Sequence, residues 1–335
     1  MRQLILHIGP PKTGTTSLQR FLNSASKELL SRGVLYPQEG RLKAGSVYRV
    51  HRPEGRVTTT GPADSHQLLA WTLKNEVEGV DAEGCWLDVL NEIHRVDPQT
   101  VIISGEAFFS LLEEQVIQVR KYLADFNVRV IIYLRDPFNL CLSAYTQHVK
   151  MGRYHHSFLT FMNEKGPHIF EGYETRTQRW KMIFGSEQIV YKSYDKLAKS
   201  PGLAQDFIRM LGFHSEDFEK CFSQNKRLNI SPSNTGIQVI RSLNFLENCL
   251  GLSEGLKGLF RYVRGKLSAQ NVVTNALFTV GGLIWRKPLF SKQEEMILRK
   301  KALDEFPLPL RRFLESVAHL PHEIPDDTKS LVDKI

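Results

Sequence analysis

The residues with the most chemistry in them stand almost at the start of the chain. They are Gly9–Pro10–Pro11–Lys12–Thr13–Gly14–Thr15–Thr16, directly after the apolar run 4–8. A turn that leaves a strand and opens a helix aims several backbone N–H groups at one point, and the helix dipole adds partial positive charge there. Glycine lets the backbone come close to an anion. Lys12 adds a full charge, and the hydroxyls of Thr15 and Thr16 add donors. Together they describe a phosphate cradle.

The nucleotide-triphosphatase loop GxxxxGK[ST] gives a useful contrast. The spacing from Gly9 to Gly14 fits it, but the residue after Gly14 is Thr15, and the lysine stands two positions before the glycine. That displacement argues against an ordinary ATPase or kinase. A turn that binds nothing would leave the lysine and the paired threonines without a purpose.

A second group lies at 130–143. Arg135 ends the strand-like run 128–134, where α/β sheets bind their ligands, and Ser143 follows eight residues later. Asp136 and Pro137 have the form of an N-cap and a first helical residue, so Ser143 falls two turns into a helix. A guanidinium fork and a hydroxyl suit a phosphate. Alone, Arg135 reads equally well as a surface salt bridge and Ser143 as a packing serine. Together, downstream of the first cradle, they suit a ligand with two phosphates.

At these residues the chain resembles the sulfotransferases that use 3′-phosphoadenosine 5′-phosphosulfate (PAPS), in particular bacterial-type members. Residues 11–16 look like that family's 5′-phosphosulfate loop, and Arg135 with Ser143 looks like its 3′-phosphate site. The resemblance spans roughly residues 3–232. It implies Lys12 at the departing bridging oxygen and Thr13, Gly14, Thr15 and Thr16 around the 5′ phosphate. It places Glu106, after the strand 101–103, where members carry a catalytic base. It implies Tyr194 against adenine, and Arg227, in 227–231, in a loop closing over the nucleotide. The late Arg–Lys–Gly stretch of the small-molecule enzymes is absent, which leaves the role of Arg227 open. Members differ in using glutamate or histidine as base, so His51, His66 and His148 stay beside Glu106. The donor product is adenosine 3′,5′-bisphosphate (PAP), and the family needs no metal.

The elements that must position these residues follow from periodicity. Runs at 4–8, 34–36, 101–103, 128–134 and 189–191 read as strands. Leu18, Phe21, Leu22, Ala25 and Leu29 recur at helical spacing up to Gly33, and 66–77, 86–96 and 109–123 also read as helices. Strands alternating with helices give an α/β fold of three layers, α/β/α, around a parallel sheet of about five strands. The resemblance adds the P-loop nucleotide-kinase-like strand order 2-3-1-4-5 and makes the whole chain, 1–335, one sulfotransferase domain. Residues 37–66, dense in glycine, proline and arginine, read as a basic loop insertion, and the part from about 233 as a helical extension.

Composition narrows the remaining classes. A formal charge of +8 favours an anionic partner in a general way. Arg41, Lys43, Arg49, Arg52 and Arg56 suit an acidic glycan acceptor or a solvated face; Lys257, Arg261, Arg264 and Lys266 suit a membrane, an acidic glycan or solvent. No aromatic residues alternate with the basic ones as stacking platforms, so nucleic acid is not an expected partner. The cysteines, Cys85, Cys141, Cys221 and Cys249, form no CxxC pair, which excludes a zinc framework and suits reduced thiols. No leader with a cleavage site precedes the first strand, and the apolar stretch 272–285 is broken by Asn275, Thr279 and two glycines. The expectation is a cytoplasmic enzyme without a membrane span. The rival readings are a P-loop kinase or nucleotide-triphosphatase, and a PAP-binding module without catalysis.

Overall fold

The computed structural model describes residues 1–43, 45–52, 55–60, 64–199, 202–224, 234–249 and 292–305, with a few short pieces between 257 and 312. Arg227, Arg264, Lys266 and the stretch 272–285 lie outside the described residues. The chain forms two compact units, Met1–Arg135 with Tyr173–Lys226, and Asp136–Gly172 with Arg227–Ile335.

The first unit carries the sheet. Its strands are β1 (Arg2–His7), β2 (Val34–Leu35), β5 (Thr100–Ser104), β6 (Phe126–Leu134) and β7 (Ile189–Ser193), all parallel, in the order β2-β5-β1-β6-β7. Counted among sheet strands alone, this is the expected 2-3-1-4-5 order. The central strands are continuous apolar runs because both of their faces are covered. Helices α1 (Thr15–Ser24), α2 (Ser26–Ser31), α3 (Gln67–Leu73), α4 (Ala82–Val96) and α5 (Glu113–Tyr122) fall between the strands. After β7 come α8 (Tyr194–Lys199), α9 (Leu203–Met210) and α10 (Glu219–Gln224).

Register decides which residues meet. Ile5 pairs with Ile102 and His7 with Ser104 on one side of β1; Ile5 lies beside Arg129 and His7 beside Ile131 on the other. Ile5, Ile102, Ile131 and Tyr133 pack with Leu18, Phe21 and Leu22 of α1 and Phe207 and Ile208 of α9 in one buried cluster. Leu4, Leu6, Val101, Ile103, Val130 and Ile132 alternate with them and are buried on the opposite face.

Three elements depart from the periodicity reading. Residues 37–66 are not wholly a loop: β3 (Val47–Arg52) and β4 (Gly55–Thr60) form an antiparallel hairpin with Val47 opposite Thr60. The β-branched residues Val47, Val50, Val57, Thr58, Thr59 and Thr60 favour strand despite the surrounding glycines and prolines. The hairpin is tied down by the His51 amide to the Glu76 carbonyl at 2.6 Å and the Glu78 amide to the Arg49 carbonyl at 3.0 Å. Nor does Arg41 belong to a solvated basic run. It is 3% exposed, donates to Asn23 Oδ1 and the Tyr36 carbonyl, and lies 4.0 Å over the Tyr36 ring. Finally, the expected helix 109–123 is a 3₁₀ turn, Glu106–Ser110, then extended Leu111 and Leu112, then α5.

The second unit is helical in its described residues. It holds α6 (Pro137–Lys150), the first part of α7 (Phe158–Phe184), α11 (Asn234–Cys249) and α12 (Lys292–Asp304). Asp136 caps α6 as expected, accepting from the Asn139 amide, and Arg299 of α12 pairs with the same carboxylate at 3.1 Å. Buried Asn244 joins α11 to the end of α6 by donating to the carbonyls of Val149 and Tyr154.

Leu18, fully buried between α1 and the sheet, reports on this core. Leu18→Ala is expected to lower unfolding free energy by about 2–5 kcal/mol in urea denaturation; a loss under roughly 1 kcal/mol would place the residue outside the cooperative core.

Candidate active site

The site begins at the carboxyl ends of three parallel strands, where β5 stops level with β1 and β6 runs on from Ile131 to Leu134. β1 runs into the loop 8–14, β5 into Gly105 and Glu106, and β6 into Arg135. Backbone bonds lock these ends to one another: the Gly105 amide donates to the His7 carbonyl at 3.0 Å, Ile8 to Ile131 at 3.3 Å, and Tyr133 to Gly9 at 3.3 Å.

The loop is strained and held. Lys12 has φ +69, a left-handed backbone that a lysine adopts at a cost of order 1–3 kcal/mol. Two side chains fix it. The Thr13 hydroxyl, fully buried, donates to the Pro10 carbonyl at 2.6 Å, and Arg135 Nη1 donates to the Lys12 carbonyl at 2.7 Å. Gly14 follows at φ +74 as the residue before α1, and a Cβ there would lie 2.8 Å from Tyr194 Cε2. The first amides of α1, at Thr15 and Thr16, have no carbonyl four residues back in the helix to bind. Thr16 is exposed, whereas Thr15 is buried and its hydroxyl donates to Glu106 Oε2 at 2.8 Å.

Glu106 is the first residue of the 3₁₀ turn, half-buried. It lies hard against the loop, since a Cβ on Gly9 would come 3.0 Å from Glu106 Cα. On the other side of β1, Arg135 lies 5.2 Å over the Tyr194 ring. Its Nε is buried without a hydrogen-bond acceptor, and the Asp195 carboxylate, at 3.9 Å, is an ion-pair neighbour too far away to serve as one. A guanidinium so held keeps donor capacity for an anion. Lys12, Thr13, Gly14, Thr15, Thr16, Glu106, Arg135 and Tyr194 are therefore brought together in one unit. Ser143 lies half-buried on α6, in the other unit.

A family profile described as a sulfotransferase domain matches residues 2–225. The chain belongs to the sulfotransferase family. Similar solved structures include a sulfotransferase from Alicyclobacillus acidocaldarius, 16% identical with a TM-score of 0.37, over 77% of this chain and 99% of that one. Another is the sulfotransferase domain from the curacin biosynthetic pathway, 12% identical with a TM-score of 0.37, over 81% of this chain and 99% of that one. An uncharacterized protein of Archaeoglobus fulgidus is 28% identical over 145 residues, 43% of this chain and 38% of that protein's length. Among the described residues of this sulfotransferase no helix is long and apolar enough to cross a membrane, and no group of His, Cys, Asp and Glu is placed to hold a metal ion. The four cysteines are free thiols.

The three reserve histidines occupy other environments. His51 is exposed on β3 and pairs with Glu78 at 3.0 Å. His148 packs on Phe161 in the second unit. His66 is fully buried: its Nδ1 accepts from the Ser104 amide at 3.1 Å, so its proton lies on Nε2, 3.0 Å from the Pro37 carbonyl. Burial first, and the Arg41 charge second, hold its pKa well below 6.5. His7 is likewise buried, and burial pushes its pKa down from 6.5 to about 3.

Both histidines take up a proton in the unfolded chain at a higher pH than in the folded one. Stability is therefore complete above about pH 6.5 and declines as pH falls toward the folded values, by up to about 1.4 kcal/mol per pH unit for each. Denaturation midpoints measured from pH 7 to pH 4 should fall, and fall less steeply in His7→Asn; equal slopes would contradict a neutral buried His7.

Proposed function

We propose that this sulfotransferase moves a sulfuryl group from PAPS to a hydroxyl or amine of an acceptor, a carbohydrate or glycan. The observation that carries the reading is the bond from Arg135 to the Lys12 carbonyl. It joins a helix-opening anion loop to a second cationic donor across the ends of adjacent strands, as a nucleotide bearing phosphates at both ends requires.

The residues fit the donor. The amides at Thr15 and Thr16, with the exposed Thr16 hydroxyl, would hold the 5′ phosphate. Thr13 contributes through its main chain, because its hydroxyl already serves Pro10. The orphaned Nε and remaining donors of Arg135 would take the 3′ phosphate. Tyr194, flanked by Gly14 and Arg135, would border the nucleoside while keeping the guanidinium in place. When bound, PAPS supplies the activated sulfuryl group. Lys12 offsets the negative charge that grows on the departing oxygen. Glu106 takes the acceptor's proton through the carboxylate that Thr15 orients.

The acceptor class draws on the basic hairpin. Lys43 and Arg49 stand at the surface beside Glu39 and Glu78, so an acidic glycan would compete with those carboxylates for them.

Calorimetry with PAP separates the rival readings. The wild type should bind. Arg135→Ala should weaken binding by at least about tenfold, the loss of charge-assisted bonds. Glu106→Gln should bind within about twofold of wild type and lose roughly 10²–10⁴ in turnover of PAPS with an acceptor panel. Unchanged affinity in the arginine variant, or full turnover in the glutamine variant, would overturn these roles. Binding without any transfer would favour a module without catalysis, and magnesium-dependent ATP turnover a kinase.

A further inference from the structure

Behind the phosphate loop lies a buried polar cluster to which the proposed reaction gives no task. His7 ends β1, Ser104 ends β5, and the two are register partners with no exposure to solvent. His7 Nδ1 lies 2.8 Å from Ser104 Oγ, and Gln19 Nε2 donates to the same oxygen at 3.2 Å.

The Ser104 oxygen accepts from Gln19 and shares a hydrogen bond with His7 Nδ1. The His7 Nε2 has no partner, and the rings of Tyr133 and Phe207 stand edge-on to the imidazole.

The cluster interrupts the apolar face formed by Ile5, Ile102, Ile131 and Tyr133. Replacing such mutually bonded groups by apolar ones of the same shape is nearly neutral for stability, so stability alone does not call for it. What hydrogen bonds add is direction, fixing one arrangement of the groups they join. Each member stands one step behind a part of the site. His7 precedes Gly9 by two residues, Ser104 precedes Glu106 by two, and Gln19 lies one helical turn beyond Thr15, on the same face of α1. Helix α1 thus meets the end of β5 twice, through Gln19 to Ser104 and through Thr15 to Glu106.

We propose that His7, Ser104 and Gln19 form a positioning device that sets the Glu106 carboxylate against Thr15 and the phosphate loop. Its catalytic consequence rests on the reading of Glu106 as the proton acceptor; its geometry does not. The three act through Glu106 and touch no substrate.

Two measurements on Ser104→Ala, His7→Leu and His7→Asn separate these claims. Asn keeps a hydrogen-bonding amide near where Nδ1 stands; Leu fills the space without one. Crystal structures should show the Thr15–Glu106 bond kept in wild type and His7→Asn and broken or displaced in Ser104→Ala and His7→Leu. An intact bond in both of the latter would overturn the proposal, whatever the enzyme's activity. In kinetics, Ser104→Ala and His7→Leu should lose about 10²-fold in kcat, the cost of a misplaced reacting group. PAP affinity should stay within about threefold, and His7→Asn should recover most of the loss. Equal losses of kcat and PAP affinity, or no recovery with asparagine, would reduce the cluster to core packing. If an isolated fold were too weak in His7→Leu, Gln19→Leu removes one arm from the helix side and must give the same split between kcat and affinity. A wild type that transfers nothing from PAPS would instead defeat the function proposed above and leave the structural comparison standing.

Discussion

β1 is hydrogen-bonded along its whole length to β5 on one side and β6 on the other, and this double pairing sets everything at the site. All three strands are parallel, with β5 ending level with β1 and β6 running on from Ile131 to Leu134. The chain therefore leaves the sheet at one edge three times, as the loop 8–14, as Gly105 and Glu106, and as Arg135. A shift of register on either side of β1 would turn its side chains to the opposite face. It would also separate the carboxylate from Thr15 or the guanidinium from Lys12.

What the strand ends deliver, a few polar contacts then tune. The left-handed backbone at Lys12 persists because Thr13 and Arg135 bind the carbonyls around it. Arg135 has two sides to its work: it braces the loop through one terminal nitrogen, and it keeps a buried Nε without an acceptor. Tyr194 fills the space that glycine leaves at position 14 and lies beneath the same guanidinium. Loop shape and the second cationic donor are thus mechanically one assembly. Such coupling fixes the loop and the guanidinium relative to one another.

Much of this was legible in the residues themselves. The phosphate loop is a local motif, and so are Arg135 at a strand end and the Asp136–Pro137 helix start; each announces itself within a few residues. Strand alternation with helices was enough for the parallel sheet. Other features are not local. Residues 37–66 were masked by glycine and proline, although their valines and threonines favour the hairpin that forms. Arg41 looked like one charge in a basic run, and only tertiary packing on Tyr36 and Asn23 buries it. Thr13 stands in the loop expected to hold the 5′ phosphate, and only the fold turns its hydroxyl onto Pro10. The link of His7 to Ser104 spans 97 residues of sequence; no spacing rule announces it, and it becomes visible once the β1–β5 register is known.

The account is tested most directly by a crystal structure of the protein with PAP. It predicts one nucleotide with its 5′ phosphate on the amides of Thr15 and Thr16 and its 3′ phosphate on Arg135, the Lys12 carbonyl bond still in place. A nucleotide that engages the loop while its 3′ phosphate lies away from Arg135, or one bound outside the ends of β1 and β6, would contradict it.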